Sequence, residues 1–203
     1  MIIDPQSLSP NAMYHWMIAV IVPRPIAFVS TLSRAGQRNV APFSYFVPIS
    51  SAPPLIGIAI QDRANDPKDT LRNIRETGEF VVNLVNEPLL SPMVRTSGEW
   101  PADVDEFDVS GIESAPSTIV KPPRVALSPA SMECRTYREV ELGSSAFVVG
   151  EILRLHVDDA MLVEGRVDPE RLRAVGRLGG DAYSIVRGVV REARPKVQRG
   201  SAA

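Results

Sequence analysis

The sequence predicts a mainly β fold, a barrel of antiparallel strands decorated by short helices. Three observations carry that prediction. Short runs rich in β-branched and aromatic residues recur along the chain, the two longest over residues 130–140 and 146–157. Proline is frequent, with 18 residues, so turns punctuate the chain often. The strand–helix alternation that a doubly wound parallel sheet requires is absent. The 203 residues suit one domain, expected over residues 1–190, followed by a polar tail over 191–203.

The elements follow in order. Met13 to Val22 is apolar but shorter than the roughly 20 residues of a membrane span. Asp4 precedes it, where a signal peptide would be basic, so it reads as a core-packing, partly helical segment. Ile26 to Leu32 reads as a strand, Ser33 to Gln37 with Gly36 as a turn, and Arg38 to Ala41 as the returning strand of a hairpin. Pro53-Pro54 opens a strand over Leu55 to Gln61, whose near-continuous apolar run implies burial on both faces. Asp66 is the expected N-cap of a helix with Pro67 at its first position, Leu71 and Ile74 on one face, and Gly78 as its stop. Phe80 to Val85 is a strand. Glu87 to Ser97 is a short helix, with Leu89, Leu90, Met93 and Val94 at helical spacing. The acidic, turn-rich stretch Asp103 to Ser117 reads as a surface excursion. Along 146–157 neither alternating set is wholly polar, so both faces are expected to be partly covered. Val175 to Tyr183, with Gly176, Gly179 and Gly180, reads as an ordered loop.

Several classes are disfavoured. A net charge of −2 gives no overall basic surface for nucleic acid, and no segment is long and apolar enough to span a membrane. The single cysteine, Cys134, allows no internal disulfide, fits a reducing cytoplasm and reads as a small buried hydrophobe. His15 and His156 form no ligand-spaced pair, so no metal is expected. Asp103, Asp105, Glu106 and Asp108 lack the spaced glycine and terminal glutamate of a calcium loop and read as a solvated run. Neither glycine-rich nucleotide fingerprint occurs, and no nucleophile elbow does.

What is present suits an anion attached to a flat ring. Arg63, Lys68 and Thr70 lie on a loop entering a helix N-terminus, where the dipole favours an anion. Ser30, Thr31 and Ser44 place hydroxyls at strand ends. The chain leaves a strand at Ala41-Pro42-Phe43, which frees backbone groups near Ser44 for the polar edge of a heterocycle. Tyr45 and Phe46 are candidate walls for the ring. Each also has a plain structural reading: Ser44 as a turn residue, Arg63 and Lys68 as solvated charges, Tyr45 and Phe46 as core.

The order of these pieces resembles the flavin reductase-like proteins of the FMN-binding split-barrel superfamily. The pieces are Pro-Arg-Pro-Ile-Ala-Phe-Val-Ser-Thr (23–31), Asn-Val-Ala-Pro-Phe-Ser-Tyr-Phe (39–46), Lys-Asp-Thr-Leu-Arg-Asn-Ile (68–74), Gly-Glu-Phe-Val-Val-Asn (78–83), Thr-Ser-Gly-Glu (96–99) and Leu-Gly-Gly-Asp-Ala-Tyr (178–183). The resemblance implies a six-stranded antiparallel split barrel, a homodimer, FMN near the dimer interface, and hydride transfer from NADH or NADPH to the flavin. It also implies reduced flavin passing to a monooxygenase or another acceptor. Carried onto this chain, it sets Ser30 and Thr31 beside the flavin, with Ala41, Ser44, Tyr45 and Phe46 along the ring and ribityl chain. Arg63, Lys68 and Thr70 hold the phosphate, and Gly180 and Tyr183 lie by the open face where nicotinamide stacks. No side chain is expected to act as catalyst, because the flavin carries the chemistry. Thr96 and Ser97 are weaker candidates near the site, and Arg24 braces either the phosphate or the strand. The same resemblance admits an FMN electron carrier without NAD(P)H turnover and a flavin-free binding module.

Overall fold

The computed structural model describes residues 1–61 and 67–195. Its centre is a seven-stranded antiparallel sheet, built from β1 (Ala27–Leu32), β2 (Arg38–Phe43), β3 (Phe46–Ser51), β4 (Pro54–Gln61), β5 (Glu79–Leu84), β6 (Ala130–Leu142) and β7 (Ser145–Val157). The spatial order is β2-β1-β5-β6-β7-β4-β3. The mainly β class holds, but the expected count of six strands is corrected to seven, because Phe46–Ser51 pairs with β4 as an edge strand of its own.

The two edges of this sheet, β2 and β3, are consecutive in sequence and are joined by Ser44 and Tyr45 alone. Three Cα steps span at most about 11 Å, so the sheet must curl until its edges meet at that corner. Among the described residues no ladder pairs β2 with β3, so the barrel is left split along this line.

Strand alternation divides the core. Ala27 and Val29 of β1 point into the barrel with Ile58, Ile60, Phe80, Val82 and Val148. Phe28, between them, points out into a second cluster with Val40, Leu89, Met93 and Phe107. Helix α2 (Asp69–Thr77) adds Leu71 and Ile74 to the barrel cluster, and Gly78 ends it in the left-handed conformation at φ 71°. The helix begins at Asp69 with Lys68 at its N-cap, which corrects the expected cap Asp66, itself outside the described residues, and the expected first position Pro67. Gly150 faces the Phe80 ring so closely that a Cβ there would overlap it.

Three further expectations are corrected. Helix α1 (Pro10–Val20), capped by the Ser9 hydroxyl, buries only Ile18; Tyr14, Trp16 and Val20 remain exposed, so this segment is not core. After α3 (Leu90–Thr96), the acidic stretch contains α4 (Glu106–Ser110), capped by Asp105 and closed by Gly111, with Glu106 and Phe107 buried. The presumed loop at 175–183 instead holds two short strands, Val175–Arg177 and Tyr183–Ile185, the first of them paired with Arg24–Pro25. The tail expected from residue 191 has no regular structure up to 195, and its remainder lies outside the described residues. No helix among the described residues is long and apolar enough to cross a membrane.

Candidate functional site

A cavity of about 410 Å³ opens where the split edge, the starts of α2 and α4 and the end of α3 converge. That volume falls within the roughly 300–1,000 Å³ of small-molecule sites. Asn39, Ala41, Pro42 and Phe43 come from β2, and Ser44 from the two-residue corner. Lys68, Asp69 and Thr70 come from the α2 N-terminus, Met93 and Thr96 from α3, and Glu106 from α4. Tyr14, Ile26, Ser97, Gly98, Trp100, Arg177 and Tyr183 complete the wall.

The hydroxyl of Ser44 is aimed by Arg24. The Arg24 guanidinium is buried and donates from Nη1 to the carbonyls of Ile18 (2.8 Å) and Ile21 (2.7 Å), closing the C-terminal end of α1. Its Nη2 donates to Leu178 O at 2.9 Å and its Nε to Ser44 Oγ at 3.4 Å. Ser44 accepts there, so its own proton is left to donate into the cavity. Arg24 is therefore a brace for both the strand and a wall of the site.

At the opposite wall, Lys68 precedes α2 and its Nζ lies 5.4 Å from the Phe43 ring centroid. Asp69 pairs with Arg72 within the first turn of the helix. Thr70 is buried, and its hydroxyl donates to Asn39 Oδ1 at 2.8 Å. Asn39 Nδ2 donates in turn to Glu106 Oε1 at 2.8 Å. Burial pushes the Glu106 carboxyl up; bonds from its own backbone, Asn39 and Val40 oppose that without cancelling it. At the third wall, Arg177 stacks on Tyr183, 4.5 Å from the ring centroid, and donates to Tyr183 Oη and Gly180 O.

Of the residues singled out from sequence, Ala41, Ser44, Lys68, Thr70 and Tyr183 line this cavity, as do the weaker candidates Thr96 and Ser97. Ser30 and Thr31 do not. Both are fully buried in a strand flanked on each side: Ser30 donates to Pro123 O, and Thr31 donates to Asn39 Oδ1 at 3.1 Å. Tyr45 and Phe46 do not line the cavity. The Tyr45 hydroxyl is buried with no partner among the described residues, and burial pushes it up. Phe46 packs on the barrel core. Gly180 does not line the cavity, though its carbonyl accepts from Arg177, and Arg63 lies outside the described residues. Sequence reasoning missed Glu106, Trp100 and Arg177. Asn39 sat within a noted motif without a role.

The donor set fits a flat ring carrying an anion. Ile26, Pro42, Phe43, Met93 and Trp100 offer apolar faces, while Lys68, Arg177 and the Ser44 hydroxyl offer charge or protons. Among the described residues no group of three His, Cys, Asp or Glu could hold a metal.

The model of the flavin reductase like domain matches residues 19–169. An uncharacterized protein of Aquifex aeolicus is 39% identical over 175 residues, covering 85% of this chain and 89% of that one. The crystal structure of nitrilotriacetate monooxygenase component B from Bacillus cereus superposes with a TM-score of 0.91 at 31% identity, covering 95% of this chain and 98% of the other. The 2-nitrobenzoate 2-nitroreductase of Pseudomonas fluorescens gives 0.87 at 31% identity, over 99% and 100%.

Proposed function

This chain belongs to the flavin reductase like domain family, and from that premise we propose that it is an FMN-dependent oxidoreductase drawing electrons from NADH or NADPH. The observation that carries the reading is the joint placement of flat apolar walls, a donating Ser44 hydroxyl and Lys68 at a helix N-terminus around one cavity. The flavin supplies hydride-accepting chemistry when bound. The chain's own residues bind and orient. Lys68, the α2 N-terminus and, on sequence grounds, Arg63 take the phosphate. Ser44 donates to the polar edge of the ring, and Ala41, Phe43, Met93 and Trp100 exclude water from its faces. Ser30 and Thr31 support the strand behind the cavity, as do Tyr45 and Phe46. Arg177 and Tyr183, steadied by Gly180, border the side where nicotinamide enters.

Similarity to a monooxygenase component B favours a partner that consumes reduced flavin, a monooxygenase or another acceptor. Tyr14, Trp16, Val20 and Ile21 around the end of α1, with Val47 and Ile49 on β3, leave apolar surface that a second copy would cover. A homodimer accords with that, and light scattering reads it directly.

Titration with FMN, followed at ~450 nm, should saturate, and Lys68→Ala should weaken FMN more than riboflavin. Anaerobic addition of NADH or NADPH should then bleach the bound flavin. A chain that takes up no FMN refutes the reading. FMN binding without bleaching by either nucleotide leaves an electron carrier in its place.

A further inference from the structure

The polar relay behind Thr70 has only one possible donor direction while Glu106 is ionised. Glu106 lines the cavity but is only 7% exposed. Its Oε1 accepts from Asn39 Nδ2 at 2.8 Å and its Oε2 from the Val40 N–H at 3.4 Å. A carboxylate only accepts, so Asn39 must turn its NH2 to Glu106 and its carbonyl to the two threonines. Thr31 and Thr70 then both donate to Asn39 Oδ1, at 3.1 and 2.8 Å, while Asn73 Nδ2 fills Thr31 at 3.0 Å. The one proton of the Thr70 hydroxyl is thereby committed. Toward the cavity Thr70 shows lone pairs, backed by a negative charge. That surface suits a hydrogen-bond donor and opposes a phosphate.

Protonation of Glu106 reverses both properties. The neutral carboxyl can donate to Asn39 Oδ1 and the amide can turn its NH2 toward the two threonines, so Thr31 and Thr70 both give up Asn39 as their acceptor and the Thr70 proton is released to the cavity. We propose that Glu106 takes up one proton from solvent when a phosphate group docks beside Lys68 and Thr70, so that phosphate-bearing ligands bind in a proton-linked way and neutral analogues do not. The inference rests on the FMN phosphate placement given above and adds to it a residue that sets phosphate recognition.

The charged groups on neighbouring elements leave Glu106 as the titrating member. On α4 itself, Asp105 and Asp108 are both paired with Arg38 of β2, at 2.7 and 2.8 Å. From α3, Arg95 donates to Ser110 O at 2.6 Å. On α2, Asp69 pairs with Arg72, and Lys68 precedes it; Arg177 and Tyr183 stack across the cavity. The donors to Glu106, which are Asn39, Val40 and its own backbone, are all neutral, and burial already holds its carboxyl above the usual range.

The test is calorimetric titration of FMN and of riboflavin at pH 8, in buffers of different ionisation enthalpy, on the wild type and Glu106→Gln. At that pH the free FMN phosphate is already a dianion, its second pKa being about 6. The wild type should take up between about half and one proton per FMN and none with riboflavin. Glu106→Gln should take up none with either ligand, and its FMN-to-riboflavin affinity ratio should stay flat from pH 8 to pH 9 while that of the wild type falls about three- to tenfold, tenfold per pH unit for each proton taken up. FMN binding by the wild type without proton uptake, or equal uptake by the variant, overturns the inference alone. No FMN binding at any pH overturns the FMN reading and this inference with it.

Discussion

Glu133 offers a sharp test of how this fold is held. It lies on β6, fully buried, yet it accepts five bonds. Oε1 accepts from the Thr118 N–H (2.8 Å), the Thr118 hydroxyl (2.9 Å) and His156 Nε2 (2.6 Å); Oε2 accepts from the N–H groups of Ile119 (2.6 Å) and Val120 (3.1 Å). Burial alone would push this carboxyl up. The Thr118 N–H, His156 and the next two backbone N–H groups outweigh it and hold the pKa at about 2, against 4.5 ordinarily. At about 1.4 kcal/mol per pH unit, the gap corresponds to roughly 3 kcal/mol of stability. Because the folded-state pKa is the lower one, that contribution is complete above about pH 4.5 and is lost as pH falls through about 2. Glu133→Gln keeps the volume but turns an NH2 toward donors. We expect urea unfolding at pH 7 to show a loss of roughly 3 kcal/mol, or ~6–12 °C in Tm for a chain of this size. The gap to wild type should narrow on going from pH 4.5 toward pH 2. A variant within ~0.5 kcal/mol of wild type at pH 7, with an unchanged acid limb, would refute the clamp.

Three further outcomes follow from the geometry. Arg24→Gln removes the charged bonds to the Ile18, Ile21 and Leu178 carbonyls; it should cost ~1.5–3 kcal/mol or more in denaturant unfolding and weaken FMN by releasing Ser44. Gly150→Ala drives a methyl into the Phe80 ring and should destabilise by ~1–3 kcal/mol, read as a lowered Tm. Cys134 is fully buried and burial pushes its thiol far up, so a thiol reagent at pH 8 should find no reactive group until the chain is unfolded.

Strands were legible wherever alternation or an apolar run was bounded by turn residues. β1 and β2 emerged as a hairpin, and Gly78 marked the end of α2, because those signals are local. The strand count was not legible. Phe46–Ser51 carries a proline and two serines, and it is a strand only because β4 lies beside it. Helix α4 was missed although its stop signals were visible, with Asp105 as cap and Gly111 as end; the acidic residues between them masked Phe107, which is buried. That error hid Glu106. The segment 39–46 was noted for its hydroxyl and backbone groups, and it does supply one wall of the cavity. Ser30 and Thr31 pointed elsewhere because burial on both faces of a central strand depends on partners distant in sequence.

The two-residue corner at Ser44 and Tyr45 has a consequence for maturation. It is the one covalent link between sheet edges that otherwise meet only after five intervening strands have taken their places. A chain with any of those strands misplaced cannot bring Ser44, Lys68 and Arg24 to one point. A ligand seated at this corner would therefore favour fully assembled molecules over partly assembled ones. At a hundredfold excess over Kd such a ligand adds about 2.7 kcal/mol to the assembled state. Molecules that hold it would be protected from proteolysis, and those that do not would stay open to it.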